Sequence, residues 1–366
     1  MSQSGSTSGT KQGGDKMALI WFDGFNYNTD AAMLQVEGVT ACSGISFGTA
    51  YGRRDGSRGI DFDHYSDELR YDLSALRGGI YDDTDHTTII LGFAFKPTNA
   101  GAAIVESTRF LCRITPNVQI HLFTGNVIKV VMQDTSAVIA TGTEVLNVGQ
   151  WNFLEFKILF NETTGAIYSR VNSVNDISST GLNTVAATGG IVGCSEIWFC
   201  NNNTSGALAD LWICNSQGSI RNDYLGDLRV DPITVTGDGS NTDFTPSAGS
   251  NYENVDEDLD DTGDADYNES GTVTNKDTYE LDSLSSPSGT TIFGLKTEIC
   301  VKKDDVGARS IKPIVRAGTT DYQGTERSIT DDYITYNEVY EKNPDDSADW
   351  EDADINAVEI DVEDTA

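Results

Sequence analysis

The stretch WNFLEFKILFNETTGAIYSRVNSV, residues 151–174, constrains the fold more than any other. Leu154, Phe156, Ile158 and Phe160 alternate with Phe153, Glu155 and Lys157. Period-two alternation places the first set on one face of an extended strand and the second on the other, a spacing that gives a helix no apolar stripe. The turn NETTG reverses the chain and AIYSRVNSV returns, which predicts an antiparallel hairpin. Similar runs precede and follow it: ALIWFDGFNYN, TTIILGFAFKP, VQIHLF and VIKVVMQ around Thr-Gly-Asn, then SEIWFCNN and ALADLWICNS with one tryptophan each. No convincing 3.6-residue period stands among them. The pattern predicts an all-β fold built around an antiparallel sandwich.

A chain of 366 residues suits two domains, each able to bury its own core. Thirty-six glycines against seven prolines fit many short strands joined by tight turns. The net charge of −33 argues against nucleic acid or an anionic membrane as partner, because either would repel this surface. No run of eighteen apolar residues is present, so no spanning helix is expected. The first sixteen residues, MSQSGSTSGTKQGGDK, lack an apolar segment and read as a flexible arm rather than a signal peptide. Cysteines at 42, 112, 194, 200, 214 and 300 contain no CxxC pair, so buried free thiols are expected rather than zinc or a disulfide framework.

With those strands in place, GQWNFLEFKILFNETTGAIYSRVNSV followed by ALADLWICNS resembles the concanavalin A-like, laminin-G-like jelly roll. YGRRDGSRGIDF is similar to the small-residue turn and apolar strand of such domains. The join, DLWICNSQGSIRNDYLGDLRVDPITVTGDGSNTDFTPSAGSNYENVDE, resembles a two-part protein common in tailed-bacteriophage genomes. There the jelly roll ends on an Asp-hydrophobic-aromatic strand, passes Leu-Gly-Asp-x-Arg-Val and enters a second β domain. KDTYELDSL, CVKKDDVGARSIKPIVRAGTTDYQGT and YNEVYEKNPDDSADWEDADINAVEIDVE continue the likeness, which covers residues 17–366.

This resemblance implies an antiparallel jelly-roll β-sandwich over residues 17–228 and a smaller β domain over 229–366, after an arm at 1–16. It implies a non-enzymatic virion structural protein on the particle's outer surface: head decoration, neck or tail fibre. The implied partners are capsid, neck or tail subunits, a host-surface glycan in a subsidiary adhesion role, and further copies of the chain, trimers being common among such parts. The alternative within this class is a polysaccharide-binding lectin or a glycoside hydrolase.

Four constellations bear on chemistry. DLDDTGDADYNE matches a calcium loop, with Asp258, Asp260, Thr262, Asp264 and Glu269 as oxygen ligands and Gly263 at the sharp turn. No helix flanks it, so a solvated acidic hairpin is the expectation and calcium the alternative; no other cofactor is implied. EIDVE, Glu359–Glu363, has the carboxylate spacing of laminarinase-type hydrolases but lies outside the jelly roll, and reads instead as an acidic edge strand. His64, His86 and His121 share no metal spacing. Arg53, Arg54 and Arg58 form a basic spot, expected to be a turn with solvated charges, with docking to an acidic neighbouring subunit as the alternative. Within the connector, Arg229 and Val230 are expected in a strand, and Gly237, Asp238 and Gly239 in a turn with positive φ.

Overall fold

The computed structural model describes residues 17–64, 66–76, 86–98, 110–186, 190, 192–200, 205–256, 265–284, 286–287 and 289–365. The expected arm at 1–16 lies outside them, as do Asp258, Asp260, Thr262 and Asp264 of the acidic loop. Strand makes up 48% and helix 6%, an all-β chain. One compact unit comprises residues 17–232 and the other residues 233–256 and 265–365.

In the first unit the strands are β1 (Leu19–Asp23), β2 (Val39–Ser43), β3 (Ser46–Gly48), β4 (Gly59–Phe62), β5 (Glu68–Asp72), β6 (Thr88–Pro97), β7 (Cys112–Thr115), β8 (Val118–Leu122), β9 (Val127–Met132), β10 (Val138–Val145), β11 (Asn152–Leu159), β12 (Gly165–Val171), β13 (Val174–Leu182), β14 (Glu196–Cys200) and β15 (Gly206–Asn215). They build two antiparallel sheets. The eight-stranded one runs β13-β12-β11-β6-β15-β4-β3 with β1 added against β15; the seven-stranded one runs β10-β9-β8-β7-β14-β5-β2. Their inner faces share one apolar core, in which the Phe93 and Phe199 rings meet edge-on at 5.3 Å. Leu154, Phe156, Ile158 and Phe160 all join that core, and β11 pairs β12 as the hairpin pattern requires.

Strands β14 and β15 follow one another in sequence but enter opposite sheets, so Trp198 and Trp212 stand on opposite outer faces. On the eight-stranded sheet, Trp212, Gly92, Glu155 and Arg170 form one cross-strand row. Gly92 is required here because a Cβ would intrude on the Trp212 indole. Residues 218–231 then lie across the row as a strap. The Gly226 N–H donates to Glu155 Oε1 at 2.8 Å, and Trp212 Nε1 donates to the Gly226 carbonyl at 3.3 Å. Lys157 meets Asp223 at 3.1 Å, and the Arg170 guanidinium lies 4.2 Å from the Tyr224 ring centre. This cover explains why Glu155, on the outward face of β11, is only 1% exposed.

The basic spot belongs to the same device, which corrects its reading as solvated charge. A bulge in β15 turns Asp210 out at φ 52°, a left-handed conformation Asp tolerates better than most residues. Its buried carboxylate receives Arg54 Nη1 at 2.8 Å, Arg53 Nε at 3.3 Å and the Val230 N–H at 3.0 Å. Arg53 also pairs with Asp227, and Arg54 with Asp231. Arg229 and Val230 are therefore not in a strand, contrary to the expectation: side chains, not ladder bonds, hold this backbone.

The second unit contains β16 (Val235–Thr242), β17 (Thr245–Pro246), β18 (Asn268–Glu269), β19 (Lys276–Leu281), β20 (Leu295–Val301), β21 (Arg309–Ala317), β22 (Thr320–Gln323), β23 (Arg327–Ile329), β24 (Ile334–Tyr340) and β25 (Glu359–Asp364). A six-stranded sheet, β16-β19-β25-β21-β22 with β23 on β21, packs against the β20–β24 pair through Val315 and Tyr340 and through Ile311, Tyr336 and Val362. Trp350 Nε1 donates to the Tyr340 carbonyl at 2.9 Å.

Two expectations fail in this unit. Gly237, Asp238 and Gly239 are in strand β16 with no positive φ; Gly239 is needed because a Cβ would come within 2.6 Å of Glu359 Oε2 and Thr278 Oγ1. EIDVE is not an edge strand, because β25 lies between β19 and β21.

Candidate functional site

The outer face of the seven-stranded sheet gathers polar and aromatic residues from five strands. In DELRYD, CRIT, VQIHL, VIKVVM and EIWF, each core residue alternates with one directed outward. Antiparallel register aligns Ala41, Arg70, Trp198, Arg113 and Gln119 in one row. A second row sets Asp72 opposite Glu196, and Glu196 opposite Thr115. His121 faces Lys129 in a third.

Trp198 organises the face. The Arg70 guanidinium lies 3.7 Å from its ring centre and that of Arg113 4.2 Å, each reaching in from a strand beside β14. Arg113 is also 4.3 Å from the Phe110 ring centre, and Phe110 meets Trp198 edge-on at 5.1 Å. Planar guanidinium stacks well on indole and phenyl faces, and the stack fixes the plane in which its N–H groups point. Behind these groups, His121 Nε2 and Gln119 Oε1 are 2.9 Å apart, and both side chains are buried. Arg70 is gripped by Glu68 at 2.7 Å and remains about one-third exposed.

Glu196 is the carboxylate of note. Burial pushes its carboxyl above the ordinary range and Asp72 across the strand adds to the rise, with Arg70 and Arg113 pulling the other way. Directly opposed strand residues have Cβ atoms about 5 Å apart, so two acids share one small region of the face. The grouping of these carboxylates with aromatic rings is not visible in the sequence. The alternation that aims each residue outward is readable there, but the strand order that brings β5, β14, β7 and β8 together is not.

The residues singled out in the sequence are placed elsewhere. Glu269 is exposed on β18 opposite Thr245, and the other members of its loop are outside the described residues. Among the described residues no group of three or more His, Cys, Asp or Glu is arranged to hold a metal ion. Glu359 accepts the N–H of Ser240 at 2.8 Å and its hydroxyl at 2.7 Å. Burial alone would raise its carboxyl, but Ser240, Thr278 and Arg316 together hold it below the ordinary range. Glu363 pairs with Lys276 at 3.7 Å and accepts from Gln323 Nε2 at 2.8 Å. Cys42, Cys112, Cys194 and Cys214 are buried free thiols and Cys300 is a half-buried one.

No family model matches the chain, and no curated protein matches it. Among solved structures it is similar to domain 4 of AbnA, an extracellular GH43 arabinanase from Geobacillus stearothermophilus solved with arabinotriose, at 14% identity and TM-score 0.37 over 56% of this chain and 96% of that one. It is also similar to the carbohydrate esterase vb_24B_21 of the Shiga toxin-encoding bacteriophage phi24B, at 11% identity and TM-score 0.36 over 56% and 100% of the two chains. Trypanosoma rangeli sialidase is similar at 10% identity and TM-score 0.32, over 44% of this chain and only 26% of the sialidase. Likeness at this level concerns β-sheet form, and form alone does not carry chemistry.

Proposed function

We propose that this chain is an outer-surface component of a tailed-bacteriophage virion whose first unit binds saccharide, without turnover, on the outer face of the seven-stranded sheet. The observation that carries the saccharide part is the row Arg70–Trp198–Arg113: guanidinium groups stacked on an indole on one sheet face. Convergent polar groups set among aromatic rings are what a hydroxyl-rich ligand needs for orientation. The virion part is supported by the sequence resemblance of residues 17–366, and homo-oligomeric assembly with capsid, neck or tail subunits follows from it.

Saccharide binding is tested on a glycan array and by calorimetry, with wild type and Trp198→Ala compared. Binding that is lost in the variant while its circular dichroism is kept supports the reading; no binding by wild type, or unchanged binding by the variant, refutes it. Mass spectrometry and immunogold labelling of purified particles test the virion part, and absence from the particle refutes it.

Glycoside hydrolysis at the same face is a second reading, favoured by the raised carboxyl of Glu196 opposite Asp72. A carboxyl raised by burial beside a second acid is the kind of pair that glycosidic general-acid catalysis draws on. Release of reducing ends that disappears in Glu196→Gln would establish turnover and displace the binding-only reading.

A further inference from the structure

We infer that Lys296 and Asn337, in the second unit, join through their side chains in an amide cross-link that the chain forms by itself, with Glu298 as proton carrier. Strands β20 and β24 make a two-stranded sheet of their own, antiparallel from Leu295 opposite Tyr340 to Val301 opposite Ile334. Alternation sends Leu295, Ile299 and Val301 to the core side together with Tyr340, Tyr336 and Ile334. Lys296, Glu298, Asn337 and Val339 therefore share the other side.

That side is closed to water as well. Thr335, Asn337 and Val339 are buried, and the Lys296 side chain is only 7% exposed. Lys296 Nζ lies 2.9 Å from Glu298 Oε1. Glu298 stands directly opposite Asn337, and Lys296 is the diagonal neighbour of Asn337, one same-face pair along. Opposed residues have Cβ atoms about 5 Å apart, and diagonal ones stay within reach of a side chain as long as that of lysine. Asn337 Nδ2 donates to the Thr335 carbonyl at 3.1 Å, whereas the buried Asn337 Oδ1 accepts from no donor. Orphaned buried acceptors are rare, and this one stands beside a carboxyl and an amine.

The three groups suffice for a balanced reaction. Glu298 takes a proton from the Lys296 ammonium. The freed amine forms a bond from Nζ to Asn337 Cγ, and Glu298 passes the proton to Oδ1, the oxygen that lacks a donor. Glu298 then moves a second proton from Nζ to Nδ2. The Cγ–Nδ2 bond breaks, the carbonyl re-forms, and ammonia departs with the Oδ1 proton as ammonium. Glu298 ends as a carboxylate, and nothing is oxidised or reduced. Exclusion of water keeps hydrolysis from competing. A lone two-stranded pair is marginal, so a covalent tie closing the loop 297–336 adds hold where ladder bonds are fewest.

The test is the intact mass of the purified full chain, followed by tryptic mapping. The chain is expected to be lighter than its sequence mass by one ammonia. Trypsin should fail to cut after Lys296, and residues 277–302 should be recovered joined to residues 328–342. Lys296→Arg, which keeps the cation but lacks the amine, and Asn337→Ala should each show the full sequence mass and no joined peptide. Glu298→Gln should also show the full mass while keeping the circular dichroism of wild type. The full mass in wild type after prolonged incubation at neutral pH overturns the inference. So does an ammonia lost elsewhere, seen as unjoined peptides or as an equally light Lys296→Arg chain. A tie that forms in Glu298→Gln as fast as in wild type overturns the role given to Glu298.

Discussion

Glu155 accepts the backbone N–H of Gly226 at 2.8 Å, and this contact seats the strap across the eight-stranded sheet. Burial raises the Glu155 carboxyl, beyond what the Gly226 N–H and Arg170 draw down. The folded state thus holds this proton more tightly than the unfolded chain does. Its ionisation erodes stability as pH climbs from the unfolded value near 4.3 through the raised folded value, and the loss is complete above it. Glu155→Gln keeps an acceptor and sheds the charge, so it should be as stable as wild type or more stable at neutral pH. Glu155→Ala should lose about 1–3 kcal/mol by stranding a buried N–H. Urea melts of both variants at pH 4 and pH 7 check this; a Gln variant weaker than wild type at pH 7 contradicts it.

Asp210 ties β15, Arg53, Arg54 and Val230 together. Asp210→Ala removes the buried acceptor that Arg53, Arg54 and the Val230 N–H share, leaving Asp227 and Asp231 to hold the guanidiniums, and should cost about 1–3 kcal/mol. Amide exchange at Val230 should rise at the same time. Retained protection there would show that something else fixes the strap.

Gly92→Ala should destabilise the first unit by about 1–3 kcal/mol, because the new methyl meets the rigid Trp212 indole rather than a side chain that can swing away. Near-ultraviolet circular dichroism should show the tryptophan environment disturbed. A neutral substitution would mean that the indole can shift beneath Gly226.

In the second unit, Glu359 has its folded value lowered, so the stability it contributes is full above the ordinary glutamate range and is lost as pH falls through the folded value. Glu359→Gln should flatten the acid limb of the melting curve below about pH 4. The double variant Glu359→Gln, Glu363→Gln should leave any saccharide turnover unaltered. Turnover abolished by that pair would relocate the chemistry to β25.

The sequence alone determined the apolar strands of the first unit and their faces. Alternation in FLEFKILF fixed which side of β11 enters the core, because a strand's side chains must point to opposite faces. It also settled the all-β class, through the absence of any apolar stripe at helical period. Tertiary structure decided what each outward face meets. Glu155 and Trp212 look like solvent-facing residues in sequence and are covered by a strap some seventy and fourteen residues further on, respectively. Trp198 and Trp212 sit in consecutive strands and end on opposite faces. Gly239 suggested a turn by composition, whereas its role is to admit the carboxylate of Glu359 across the sheet. The row through Arg70, Trp198 and Arg113 joins residues up to 128 positions apart. Local period specifies the direction of a side chain, but only strand order and register choose its neighbours, and those are set by the packing of the whole core.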